Sequence, residues 1–236
     1  MFGLFYGYGL YLIISLPALI LGLWAQAKVQ GAFSKYSQVR NMSQMTGAQV
    51  ARRMLDSNGL SDVRIEQTTG ILSDNYDPRS KVLRLSPQVY QGPTVAAAGV
   101  AAHEAGHALQ HAEGYGMLRL RTAMVPSVQI GSWLGPILFF IGLLFSQVFG
   151  DTLALVGLIL FALTAVFALV TLPVEYNASH RAKAWLTDSG MIYGNEVAGI
   201  NSVLDAAALT YVAAAIQALS TVFYYATILL LGRSRN

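Results

Sequence analysis

The sequence predicts a mainly α integral membrane protein, four transmembrane helices with a small α+β portion on one side of the membrane. Three observations carry this expectation. Of 236 residues, 54% are hydrophobic and only 11% charged, against about 25% charged in an average soluble chain. Four windows contain no Asp, Glu, Lys or Arg: Phe2 to Ala27, Thr122 to Gly150, Thr152 to Val174 and Ala206 to Gly232. Each is long enough to supply the roughly 20 apolar residues that cross a bilayer. The only sizeable polar stretch, Lys28 to His103, mixes one helical pattern with short β-type runs.

The first window ends in AQA at 25–27, which resembles a cleavage site. No Lys or Arg precedes it, however, and its apolar run exceeds the 7 to 15 residues usual in a signal, so it is read as an uncleaved anchor. Next, TGAQVARRMLDS at 46–57 places Val50, Met54 and Leu55 at helical spacing behind a Thr suited to cap the helix, and Gly59 ends it. VRIE at 63–66 and KVLRLS at 81–86 have β character, with ILSDNY at 71–76 between them and DPRS at 77–80 as a turn. A small sheet or hairpin beside a helix is expected. TVAAAGVAAHEAGHALQHA, which starts at Thr94 just after Pro93, is alanine-rich and predicts a closely packed helix. The second and third spans form a hairpin whose only link is expected around Asp151.

Thirteen of the fifteen Lys and Arg residues lie in Lys28 to Arg121 or at Arg181 and Lys183. The positive-inside bias therefore puts both segments in the cytoplasm and both termini outside, in a multi-pass protein of the cell membrane. The net charge of +3 is accounted for by this asymmetry. No basic run interleaved with aromatics marks a nucleic-acid partner. The chain has no cysteine, which removes disulfides and every thiolate metal site. Any zinc must be held by His, Glu or Asp.

Three of the four histidines fall within VAAHEAGHALQH at 100–111. His103 and His107 are one helical turn apart with Glu104 between them, the pattern HExxH. This spacing sets two imidazoles on one face to bind zinc and aims Glu104 at the attacking water as general base. The bland alternative is a buried helix whose histidines only hydrogen bond, which would cost several kcal/mol without partners. His111 lies about 12 Å along the axis from His103, too far to share one ion. The extended pattern HExxHxxGxxH would need Gly and His where Gln110 and Glu113 stand, which excludes that class.

A third ligand must come from elsewhere. The second and third spans leave the membrane on the same side, and Glu175 stands at that exit in LPVEYNASHRAKAW. Placed there it can face the HExxH helix and complete a His, His, Glu set with an open position. It can equally be an ordinary glutamate at a membrane boundary. Asp205 in NSVLDAAAL resembles the Leu-Asp-Gly element of site-2-type intramembrane proteases, although Ala206 replaces the Gly. Glu113 serves only if its helix breaks at Gly114.

Four stretches carry a family resemblance: GILSDNYDPRSKVLRLSPQVY at 70–90, VAAAGVAAHEAGHALQHA at 95–112, LPVEYNASHRA at 172–182 and VLDAAALTYVAAA at 203–215. With the spans they cover most of the chain, which resembles the YugP-like neutral zinc metallopeptidase family, membrane proteins distantly similar to HtpX-class gluzincins. The resemblance implies that His103, His107 and Glu175 bind Zn2+ and that Glu104 is the catalytic base. In the HtpX class an aspartate follows the glutamate ligand by four positions. Here Ser179 stands at that position and Asn177 two after the ligand, and either can orient a ligand histidine.

The expected organisation is a first span at 1–27, a cytoplasmic zincin-like metalloprotease portion with the HExxH helix at 28–120, and a transmembrane hairpin at 121–174. A cytoplasmic segment with the third ligand at 175–205 and a fourth span with a short tail at 206–236 follow. The expected activity is endopeptidase action at the cytoplasmic membrane face on membrane-associated or unfolded proteins, as in quality control. Protein or peptide substrates and membrane lipid are the partners. Substrate is expected to add a strand beside ILSDNY, near Asn75 and Tyr76, and Tyr176, His180 or Arg181 to aid the oxyanion. The alternatives are a non-enzymatic membrane scaffold with a structural metal site and a site-2-type protease using Asp205. A transporter is disfavoured because none of the four windows contains a charge. No GxxxxGK[ST] stretch is present, so the chain brings no ATPase of its own.

Overall fold

The computed structural model describes residues 2–70, 73–145 and 147–233. In chain order these form α1 (Phe2–Tyr36), α2 (Gly47–Ser57), β1 (Arg64–Gln67), β2 (Asn75–Asp77), β3 (Val82–Leu85), α3 (Pro87–Gln91), α4 (Val95–Ala112), α5 (Gly116–Leu144), α6 (Gln147–Asp188) and α7 (Asn195–Arg233). The fold is mostly helical with one small sheet. Among the described residues four helices, α1, α5, α6 and α7, are long and apolar enough to cross a membrane, as the charge-free windows predict.

Two compact units divide the chain: Met1–Trp24, Leu120–Leu172 and Thr210–Asn236 form one, Ala25–Arg119 and Pro173–Leu209 the other. The first unit is apolar helix against apolar helix. Phe139, Ala154, Tyr224, Tyr225 and Leu229 are its buried cluster, and Phe139 stacks on Tyr225 at 4.2 Å between ring centroids. A Cβ on Gly135 would lie 2.9 Å from the Gly157 carbonyl oxygen, the close backbone approach that small residues allow between membrane helices. The link of this hairpin differs from expectation. Asp151 lies inside α6, which begins at Gln147, while α5 ends at Leu144. A charge close to the end of a span can sit in the polar interfacial zone without interrupting the helix, so it does not mark the turn.

In the second unit α2 begins as its sequence dictates. The Thr46 hydroxyl accepts from Gln49 N–H while the Gln49 side chain accepts from Thr46 N–H, a reciprocal capping box. Val50, Ala51, Met54 and Leu55 are buried along one face. The sheet has the order β1-β3-β2. Its middle strand β3 runs parallel to β1, Arg64 opposite Val82, and antiparallel to β2, Asn75 opposite Arg84. β2 is therefore an edge, as expected of ILSDNY, although Ile71 and Leu72 lie outside the described residues.

The alanine-rich α4 is the centre of the second unit. Its N-cap Thr94 accepts from Ala97 N–H, and seven alanines from Ala96 to Ala108 are buried among α2, the sheet and the apolar residues Leu186, Ile192, Ile200 and Leu204. The helix stops at Gly114, whose φ of +68° is readily available only to glycine. Gly114 N–H donates to the His111 carbonyl and Tyr115 N–H to the Gln110 carbonyl, the paired bonds of a Schellman end.

Candidate metal centre

Two helices build the site. α4 carries His103 and His107 one turn apart, and α6 carries Glu175 and Ser179 one turn apart. Between each pair sits a small residue. A Cβ on Gly106 would lie only 2.8 Å from the Ala178 carbonyl oxygen, so the absence of a side chain at 106 is what lets the helices approach until the longer side chains meet.

Glu175 Oε2 is 3.2 Å from His103 Nε2 and 3.5 Å from His107 Nε2, and one donor atom from each of the three residues fits within 4.8 Å. Glu175 is 2% exposed and the two imidazoles 12% and 9%. The donor chemistry fits zinc, which takes imidazole nitrogen and carboxylate oxygen at about 2.0–2.2 Å. Two such donors placed tetrahedrally about one ion stand about 3.3 Å apart, which follows from those bond lengths and matches the glutamate-to-histidine separations here. This is the only such group of three or more His, Cys, Asp or Glu among the described residues.

Each imidazole is also held from behind. His103 Nδ1 lies 3.0 Å from the Ser179 hydroxyl, and His107 Nδ1 3.0 Å from Gln110 Oε1. Gln110 donates in turn to the Val174 carbonyl at 2.8 Å and to Asn177 Oδ1 at 2.9 Å. Ser179 thus touches a histidine of this group directly, whereas Asn177 reaches one only through Gln110. Gln110 was not singled out from the sequence as a site residue. The signal available there was its place three residues after His107, on the same side of the helix.

Glu104 is buried beside the histidines. Burial pushes its carboxyl above the ordinary value, the two imidazoles oppose this, and the Glu175 and Asp74 carboxylates add to the rise. For His107, burial acts to lower the pKa, but the hydrogen bond and charge of Glu175, with Glu104 and Gln110, carry it above 6.5. A bound divalent cation would work against both shifts.

The remaining predicted residues are distributed around this centre. Arg181 grips Glu113 with both terminal nitrogens at 2.6 Å and donates from Nε to Asn177 Oδ1 at 2.7 Å. Glu113 is thereby engaged away from the triad. Asp205 pairs with Lys183 at 2.5 Å and is not a member of the triad. Tyr176 and His180 are exposed on α6, where with Asn177, Ser179, Lys183, Asp205, Pro173 and Ala208 they line a cleft of about 510 Å³. On the edge strand, Asn75 is exposed and Tyr76 half-buried. The Tyr76 hydroxyl lies 2.9 Å from His111 Nδ1, which ties β2 to the end of α4. Burial, with Asp62 and Asp77, holds the Tyr76 pKa up at about 12, so the hydroxyl stays neutral.

Residues 11–230 match the family described as "Putative neutral zinc metallopeptidase", and the chain belongs to that family of zinc peptidases. It is also similar to a particular membrane protein of Bacillus subtilis (strain 168), named "Putative membrane protease YugP". The two are 48% identical over 227 residues, 96% of this chain and 100% of that protein. No solved structure matches. Zinc is accordingly the cofactor, and His103, His107 and Glu175 are a group able to hold it.

Proposed function

We propose that this chain is a membrane-embedded zinc endopeptidase of the gluzincin kind, hydrolysing membrane-associated or unfolded proteins at the cytoplasmic membrane face in quality control. The observation that carries the reading is the convergence of His103, His107 and Glu175 within 4.8 Å beside a buried, otherwise unexplained carboxylate, Glu104. Zinc held by the triad supplies Lewis acidity toward the scissile carbonyl and lowers the pKa of water. Glu104 accepts a proton from the attacking water as the new C–O bond forms. It returns that proton to the amide nitrogen as the C–N bond breaks, so the carboxylate is regenerated in each turnover.

The substrate lies extended along β2, whose far side has no strand partner among the described residues, and backbone hydrogen bonds to this edge hold it in line. Exposed Asn75 and the tethered Tyr76 fix that edge relative to α4. Of the three oxyanion candidates, Arg181 is committed to Glu113 and Asn177, which leaves Tyr176 and His180 for that role. The zincin-like cytoplasmic portion comprises 28–120 and 175–205, and the spans are 1–27, the hairpin 121–174 and the helix within 206–236. The Lys and Arg asymmetry supports this orientation. Cleavage of casein by the detergent-purified chain, with zinc content measured alongside, tests the reading. Wild type should cleave, while Glu104→Gln should retain zinc and lose about 10²- to 10⁴-fold in rate. Zinc-loaded wild type that cleaves no unfolded protein would defeat the proposal of a general endopeptidase.

A further inference from the structure

We infer that Gln110, backed by Asn177, Arg181 and Glu113, is a positioning relay that locks His107 in the tautomer with its proton on Nδ1, turning the Nε2 lone pair toward the metal. The inference rests on the metal-site reading above and concerns how one ligand is prepared for zinc.

The polarity of the relay is set at its far end. A guanidinium can only donate hydrogen bonds and keeps its proton at any working pH. Arg181 Nε points at Asn177 Oδ1 at 2.7 Å, so the Asn177 atom there must be the oxygen. Arg181 itself cannot swing away easily, because both terminal nitrogens are held by the Glu113 carboxylate. The Gln110 group facing Asn177 Oδ1 and the Val174 carbonyl therefore meets two acceptors. Only its NH₂ end satisfies both, and both of its hydrogens are used. Gln110 Oε1 is left against His107 Nδ1 at 3.0 Å. Glu175 Oε2 also faces the ring, but at 3.5 Å from Nε2 it is a poorer acceptor position than Gln110 Oε1 at 3.0 Å from Nδ1, so the neutral ring keeps its proton on Nδ1 and its acceptor lone pair on Nε2.

Reversing Gln110 would set its oxygen against two acceptors and its NH₂ against the ring, in a position with no exposure to water. A buried polar group without a partner is costly, so the reversed arrangement is excluded by the same burial that makes the site dry. His103 is treated differently. Its Nδ1 faces the Ser179 hydroxyl, which can donate or accept and imposes no tautomer. The two histidines of HExxH are thus unequal, one locked by a relay anchored in an ion pair and one adaptable.

The test uses full-length chain in detergent, selectively labelled with ¹⁵N-histidine and stripped of metal, at a pH where the imidazoles are neutral. Long-range ¹H–¹⁵N correlations report which nitrogen of His107 carries the proton, with His107→Gln used for assignment. Zinc affinity is then measured by chelator competition. The expectation is an Nδ1–H tautomer in wild type, a mixture in Gln110→Leu, and an affinity for zinc about 10- to 100-fold lower in that variant. Asn177→Asp, whose carboxylate accepts from both Gln110 and Arg181, should keep the wild-type tautomer, whereas Asn177→Leu, which leaves the Gln110 NH₂ only the Val174 carbonyl, should shift the ring toward a mixture. If Gln110→Leu fails to fold, the Asn177 pair and the wild-type tautomer still decide. An Nε2–H tautomer in wild type, or an unchanged tautomer in folded Gln110→Leu or Asn177→Leu, overturns the relay. Because the tautomer is read without metal, zinc binding that survives His107→Gln would instead defeat the metal-site reading and leave the relay result standing.

Discussion

At the scale of single residues, the site combines groups whose charges oppose one another until a cation arrives. His107 titrates above 6.5 in the metal-free chain because Glu175 and Glu104 outweigh its burial. Zinc needs the neutral ring, so protons compete with the metal. The sign follows directly: a raised histidine pKa means that zinc affinity falls as pH drops through that pKa, starting from above 6.5, while at higher pH the competition disappears. Chelator extraction should therefore strip zinc faster and more completely at pH 6 than at pH 8, as measured by residual metal per chain. Glu104 adds a kinetic counterpart. Its carboxyl is raised by burial in the metal-free chain, and in the proposed role of base it must be ionised to act, so the rate should fall on the acid side as this carboxylate takes up a proton. The HExxH pair and its glutamate were legible in the sequence because all three sit within one turn of one helix. The role of Gln110 was not, since its partners Val174 and Asn177 are 64 and 67 residues away, and its place three residues after His107 marks it only as a neighbour on that side of the helix.

At the scale of elements, the helix pair α4 and α6 is the device on which the site depends. Glu175 and Ser179 reach the histidines because Gly106 meets the Ala178 backbone without a side chain between them. A methyl group at 106 has only a rigid carbonyl to push against. Gly106→Ala should therefore destabilise the protein by about 1–3 kcal/mol through overpacking and weaken zinc binding, seen together as a lower melting temperature and a shifted zinc titration. The capping change Thr46→Ala, which removes the hydroxyl that starts α2, should cost about 1 kcal/mol and leave zinc affinity unaltered. The contrast separates damage to the metal site from general loss of stability. The start of α2, the alanine helix and the strands β1 and β3 were readable from capping chemistry and local periodicity. The crossing of α4 over α6 was readable only in part. The glycine of HEAGH and the alanine of YNAS are unremarkable until the fold brings them together.

At the scale of the whole molecule, composition and charge distribution announced a membrane protein with four spans, and the described residues contain four helices long and apolar enough to cross a membrane. Asp151 lies within α6 and does not link the second and third spans, because a single charge near the end of a span need not mark its boundary. No Gly, Pro or Asn falls between the end of α5 at Leu144 and the start of α6 at Gln147. The proposed cytoplasmic orientation has its own test, made easy by a chain without cysteine. With Arg79→Cys in the exposed turn before β3, a membrane-impermeant maleimide should label inverted vesicles but not intact cells. Labelling of intact cells would reverse the topology.

The central claim is that Glu175, and not Asp205, completes the zinc site with His103 and His107. Zinc per chain, measured for purified Glu175→Ala beside Asp205→Ala, tests it most directly. The account predicts that Glu175→Ala loses most of its zinc while Asp205→Ala, which gives up only an exposed ion pair with Lys183, retains the wild-type amount. Full zinc in Glu175→Ala together with its loss in Asp205→Ala would contradict the account and move the third ligand to α7.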